Sequence, residues 1–204
     1  MLRLASLAAL VLALAPAAAS ADVLKAYAEL NAGGMYGKGI AGTQQNDAFF
    51  AKARGGAFGA AIGARVLFFD GQISHHEFIS PDRTTWTQFR LGVAFGFDTG
   101  SEWERKQHQT VYFELGGGLA FGLGTGAQVM PPLDNSQVTD KGLLLDGRIE
   151  IGKHLSKIFD LGVMLPVSWA YMFKNGAGAN DMDNQYQSIQ AEALLVLRAN
   201  LRVI

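Results

Sequence analysis

The chain has 204 residues, a formal net charge of −1 and no cysteine. That length suits one domain. The charge balance gives no field for a polyanion, so no nucleic-acid partner is expected, and the lack of cysteine excludes the disulfide staples of many small secreted domains. No Gly-x-Ser-x-Gly elbow or phosphate loop is present, so neither an enzymatic activity nor a cofactor is expected.

The first segment is an address. Arg3 gives a short positive region, Leu4 to Leu14 an apolar stretch too short to cross a bilayer as a helix, and Ala17 to Ala21 the small residues of a cleavage site. Residues 1–21 read as a secretory signal peptide cut after Ala21, leaving a single domain over 22–204. No cysteine follows the apolar run, so no lipoprotein anchor is expected. No later stretch is a long apolar run, so no helical span is expected.

The mature chain then alternates with the strand period of two. In the first segment, 23–37, Leu24, Ala26, Ala28 and Leu30 oppose Lys25, Tyr27, Glu29 and Asn31. The next two, 52–68 and 72–80, meet at Asp70-Gly71, a dipeptide that signals a hairpin turn. The 72–80 segment alternates poorly. In 86–98, Phe89, Leu91, Val93, Phe95 and Phe97 oppose Gln88, Arg90, Gly92, Gly96 and Asp98. In 109–124, Val111, Phe113, Leu115, Leu119, Phe121 and Leu123 oppose Tyr112, Glu114 and a row of glycines. In 142–152, Leu143, Leu145, Ile149 and Ile151 oppose Asp146, Arg148 and Glu150. The segment 159–173 has an apolar row from Phe159 to Phe173. In 187–203, Ile189, Leu195, Leu197 and Leu201 oppose Gln190, Glu192, Arg198, Asn200 and Arg202.

In each clearly alternating segment the bulk is on the apolar face, and the other face holds small residues and isolated charges. Glycine weakens a strand, so that second face is a poor solvent face. A narrow transmembrane barrel requires this division, with large apolar groups toward lipid and small residues and a few charges inside. The expected fold is therefore all-β, an eight-stranded antiparallel up-and-down transmembrane β-barrel. The competing arrangement turns the apolar row inward, as in a soluble periplasmic barrel that binds a lipid.

The side chains expected inside are Lys25, Glu29, Arg65, Arg90, Asp98, Glu114, Asp146, Arg148, Glu150, Glu192, Arg198 and Arg202. Eight strands enclose a space that side chains can fill, and buried charges must be paired. This set reads as a salt-bridged plug, with a narrow pore for small solutes as the alternative. Tyr36, Phe68, Phe69, Trp86, Trp103, Trp169, Tyr171, Phe173 and Tyr186 lie near expected strand ends and read as aromatic belts. The connections near 38–51, 125–141 and 174–186 are long and polar, with 81–85 a shorter fourth. Those near 69–71 and 153–158 are short. A periplasmic N-terminus puts the long ones outside, as in outer-membrane barrels. The connection 99–108 is long for the inner side.

Three motifs carry chemistry-bearing residues at short spacing. His75-His76-Glu77 suggests a metal site, but neighbouring strand residues face opposite ways. The run Asn180 to Asn184 offers oxygens for calcium but lacks the glycine and distal glutamate of a calcium loop. His154-Leu155-Ser156 is similar to the His-x-Ser pair of outer-membrane lipid A deacylases, but Lys157 follows where that family has asparagine, and the pair falls in an expected periplasmic turn. No metal site and no catalytic residue is expected.

Across the mature chain, the signal peptide, alternation, strand number and loop asymmetry resemble the small outer-membrane barrels of OmpA and OmpX type. The resemblance implies a bacterial outer-membrane location and a structural or surface-interaction role through the outer loops. It also implies a monomer whose partners are outer-membrane lipid and lipopolysaccharide, the barrel-assembly machinery and a loop ligand of unstated chemistry. The chain has no room for the peptidoglycan-binding domain of full-length OmpA-type proteins. It ends in Ile204 where such barrels end in an aromatic residue read during assembly.

Overall fold

A computed structural model describes residues 24–42, 49–52, 54–79, 84–99, 103, 110–125, 139–174 and 185–202. The expected signal peptide, most of the four longer connections and most of the 99–108 connection lie outside the described residues. The strands are β1 (Leu24–Gly42), β2 (Gly55–Val66), β3 (Phe69–Ile79), β4 (Thr84–Thr99), β5 (Val111–Thr125), β6 (Asp140–His154), β7 (Phe159–Lys174) and β8 (Gln185–Arg202). A four-residue helix, α1 (Phe49–Lys52), lies between β1 and β2. Each strand pairs antiparallel with its sequence neighbours, and β1 pairs with β8, closing an eight-stranded barrel. Closure leaves no sheet edge.

Alternation sets the facing of each strand. Leu30, Leu91, Leu119, Leu145 and Leu195 lie outside, 55–66% exposed. Glu29, Arg90, Glu114, Arg148, Glu150 and Arg198 lie inside, each less than 5% exposed. The inward-facing apolar row of a soluble lipid-binding barrel is thus not the arrangement found. Large lumen side chains fit because small residues face them. A Cβ on Gly63 would come within 2.4 Å of the Tyr27 ring, and one on Gly122 within 1.9 Å of the Trp86 ring.

The structure corrects three sequence expectations. Asp70-Gly71 is not a turn. The β2–β3 hairpin turns at Leu67–Phe68, flanked by the Val66–Phe69 pair, with Leu67 at φ 57. The β3 strand is regular, with Asp70, Gln72, Ser74, His76 and Phe78 inside. The reason is phase, because this register buries the polar row where partners await it. Second, Trp86 and Tyr186 are not belt residues, for both are 1% exposed and lie in the lumen. Tyr36, Phe68, Phe69, Trp103 and Trp169 are exposed as expected. Third, the β1–β2 connection is not wholly a solvated loop, since Phe49 and Phe50 are buried inside the barrel.

Pro166 interrupts one ladder. It has no N–H to donate. The β7–β8 register runs Met164–Leu194 and resumes at Val167–Ala191, leaving Leu165–Pro166 unpaired with β8 opposite Glu192–Ala193.

Candidate functional site: the barrel lumen

The lumen is layered along its axis. The end that holds the short turns carries a cluster around His154. Its Nδ1 lies 2.6 Å from Asp160 Oδ1 and its Nε2 3.1 Å from Asp98 Oδ1. The Tyr112 ring lies beside it, and Asn200 Nδ2 donates to Asp160 Oδ2 at 2.5 Å. His154 does not serve Ser156. Both ring nitrogens meet carboxylates, while Ser156 Oγ accepts backbone N–H bonds from Ile158 and Phe159 in the β6–β7 turn. A nucleophile needs a base within hydrogen-bond reach, and this serine has a turn-making role instead.

The next layer is an arginine–carboxylate network. Arg65 holds Glu114 with two N–H···O bonds of 2.9 Å, the fork geometry in which guanidinium meets carboxylate best. Arg148 donates to Glu114 Oε1 at 3.2 Å and to Asp70 Oδ2 at 3.1 Å. Arg90 donates to Asp70 Oδ2 at 2.7 Å and to Asp146 Oδ2 at 2.8 Å. Arg198 donates to Glu29 Oε1 at 2.6 Å and to Glu150 Oε2 at 2.5 Å. The Tyr112 hydroxyl donates to Glu150, the Tyr27 hydroxyl to Asp70 at 3.0 Å, and Gln72 to Glu29 at 3.1 Å. These groups come from β1 to β6 and from β8, so the network ties the ring together across its width.

Among the residues singled out in the sequence, Glu29, Arg65, Arg90, Glu114, Asp146, Arg148, Glu150 and Arg198 are in this network. Glu192 is one level further up the lumen, bonded to Gln190. Asp98 is at the mouth, its side chain 40% exposed. Lys25 is half-buried at the same end, and Arg202 pairs with it in backbone register. The side chain of Arg202 lies outside the described residues.

The network's most connected carboxylate, Asp70, was missed, since its sequence context reads as a turn. Three arginines lie on it, with Arg65 Nε at 3.4 Å from Oδ1. Strand parity was the signal available, because extending the β3 alternation back from His76 puts Asp70 inside. Parity also places Trp86 with Gln88 and Arg90, and Tyr186 with Gln190.

At the loop end the lumen is closed by rings. Phe50 lies 4.9 Å from Trp86, and Phe49 lies 5.4 Å from Trp86 and 6.3 Å from Phe78. Phe49 N–H donates to the Tyr186 hydroxyl at 3.0 Å, which donates to Asp140 Oδ1 at 2.6 Å. Arg54 Nε donates to Gly37 O at 3.2 Å, and its guanidinium stacks on Tyr36. Glycines leave room for this plug. A Cβ on Gly37 would come within 2.0 Å of the Phe50 backbone, and one on Gly124 within 2.7 Å of the Phe49 ring.

His75 and His76 face opposite ways. His75 meets Thr87 Oγ1 at 2.7 Å, and His76 is in the lumen. No group of three or more His, Cys, Asp or Glu side chains among the described residues is placed to hold a metal. The run Asn180 to Asn184 lies outside the described residues.

These features define a class: a small closed eight-stranded β-barrel, apolar outside, with a lumen filled by ion pairs and rings. No protein-family model and no curated protein matches the chain. Among solved structures it is similar to Neisserial surface protein A (NspA), at 12% identity over 85% of this chain and 96% of that chain, with a TM-score of 0.48. It is similar to the N-terminal β-barrel domain of Pseudomonas aeruginosa OprF, at 13% identity over 86% and 97%, with a TM-score of 0.43. It is also similar to the outer membrane protein OprG from Pseudomonas aeruginosa, at 8% identity over 88% and 96%, with a TM-score of 0.41.

Proposed function

We propose that the chain is exported, loses residues 1–21, and resides in a bacterial outer membrane as a monomeric barrel with a structural or surface-interaction role. The observation that carries this reading is the inversion of the usual arrangement, with leucine rows exposed on the outside and ion pairs buried within. A contiguous exposed apolar surface around a whole molecule marks a membrane-facing one. Strands of 11–19 residues meet or exceed the ~9–11 residues needed to cross a bilayer at a tilt. In this reading the outer row meets the lipid tails, the loop end meets lipopolysaccharide, and the barrel-assembly machinery inserts the chain. The long connections are the interaction surface.

A narrow through-pore is the second reading. The arginine network and the ring layer both stand across its path, which favours the structural role. Neither reading assigns a catalytic residue.

The test is gel mobility of the membrane fraction, unboiled against boiled in SDS, followed by conductance in planar bilayers. Closed barrels hold all backbone bonds internally, so the expected result is a heat-dependent shift in the membrane fraction with no steady conductance. A soluble, unshifted protein would overturn the membrane reading. Steady conductance would replace the structural role with transport.

A further inference from the structure

Between the ring layer and the arginine network the lumen is neither fully packed nor fully satisfied. A cavity there gives the centres of water-sized molecules about 40 Å³. At roughly 10–15 Å³ for each water, this holds about three. It lies one inward step below the plug. His76 follows Phe78 down the lumen face of β3, and Gln88 follows Trp86 down that of β4, joined to it by a 2.9 Å indole N–H bond.

Its walls collect polar atoms that lack protein partners. Asn31 Oδ1, Ser74 Oγ, His76 Nε2, Gln190 Oε1 and Glu192 Oε2 are buried without a hydrogen-bond partner among the described residues, and all five residues line the cavity. The floor adds Arg90 Nη2, Asp146 Oδ1 and Arg148 Nε in the same condition. Buried polar groups without partners are expensive and rare, and here they converge on one place. The set mixes acceptors on Asn31, Asp146, Gln190 and Glu192 with donors on Arg90 and Arg148. Its occupant must donate and accept at once and fit the volume, which makes it water.

The plug stands between this space and the loop end, with Phe49 and Phe50 buried. Its segment, α1, has only four residues. It is held by ring packing and by the Phe49–Tyr186–Asp140 chain of hydrogen bonds. We propose that the outer half of the lumen is a water-bearing vestibule, with Phe49 and Phe50 as its stopper and the arginine network as its floor. Displacing the stopper admits water-sized polar solutes from the loop end and gives them no passage beyond the network. The vestibule is thus a closed-ended binding site.

The chain has no cysteine, so Ser74→Cys makes a single reporter on the cavity wall. The purified barrel in detergent micelles is treated with silver ion, which is close to water in size, and silver thiolate formation is followed by mass spectrometry. With the plug intact, the reaction should be slow compared with that of a cysteine introduced at Lys157, exposed in the β6–β7 turn. Adding Phe49→Ala and Phe50→Ala should accelerate it about tenfold or more. Tyr186→Phe is the milder release. It removes both latch bonds while keeping the ring, and should accelerate the reaction by about tenfold, the population change that follows loss of a buried hydrogen bond. Only protein that keeps its heat-dependent gel shift is compared, so misfolding is separated from opening. Equal rates in folded plug variants, or a fast reaction with the plug intact, would overturn the stopper. Absence of magnetisation transfer from water to the Gln190 side-chain amide in micelles would overturn the occupant.

Discussion

Asp70 Oδ2 lies 2.7 Å from Arg90 Nη1, and both side chains are withdrawn from water almost completely. The pair joins adjacent strands, β3 and β4, and Asp70 also receives Arg65 and Arg148. Removing one partner of a buried pair strands the other charge, at a cost of about 3–5 kcal/mol. Asp70→Asn should therefore destabilise the barrel by about that amount, measured as a fall in the urea midpoint of unfolding from lipid vesicles. Replacing both Asp70 and Arg90 with apolar residues should cost less than the sum of the single changes, because the two groups share a network.

The outward face is expected to respond to depth. Leu119 sits near the middle of β5 and is 66% exposed, while Val111 opens the same strand. An arginine at the bilayer midplane costs about 2–4 kcal/mol and near the interface about 0–1 kcal/mol. Leu119→Arg should lower refolding stability in vesicles by the larger amount and Val111→Arg by the smaller. Equal effects at the two positions would contradict the membrane geometry.

Gly122 is a packing device for Trp86. A Cβ there would meet the indole ring at 1.9 Å, and the ring is enclosed by Phe49 and Phe50. An added side chain overpacks this layer, at a cost of about 1–3 kcal/mol. Gly122→Val should lower the melting temperature and red-shift the emission of Trp86, read in a chain where Trp103 and Trp169 are replaced by phenylalanine.

Leu67 pays for a tight turn. Its φ of 57 lies in the left-handed region, which costs a residue with a Cβ about 1–2 kcal/mol. The first central position of a two-residue hairpin with positive φ favours glycine. Part of the gain from Leu67→Gly is offset by about 0.5–1 kcal/mol of extra unfolded-chain entropy. The substitution should leave stability unchanged or raise it by up to about 1 kcal/mol, measured by urea unfolding.

The ring of strands was legible in the chain because period two survives any tertiary arrangement. Val111, Phe113 and Leu115 against Tyr112 and Glu114 already assign both faces of β5. The same rule, carried through consistently, places Trp86 and Tyr186 inside. The belt reading of these two followed residue type instead of phase. The inward charges were visible one by one, but their partners were not. Arg148 reaches Asp70 across 78 positions of sequence and Arg198 reaches Glu29 across 169.

By itself, then, the sequence determined the strand rhythm and which face of each strand is apolar, because side chains on a strand alternate whatever the strand packs against. Only the tertiary structure decided that Asp70 is a shared counter-ion and not a turn residue, because its place depends on three arginines from other strands and on the exact phase of β3. Only the tertiary structure turned Phe49 and Phe50 into the lumen. The space that receives them exists once Gly37 and Gly124 stand on the inner wall of a closed ring, and closure is a property that no single strand carries.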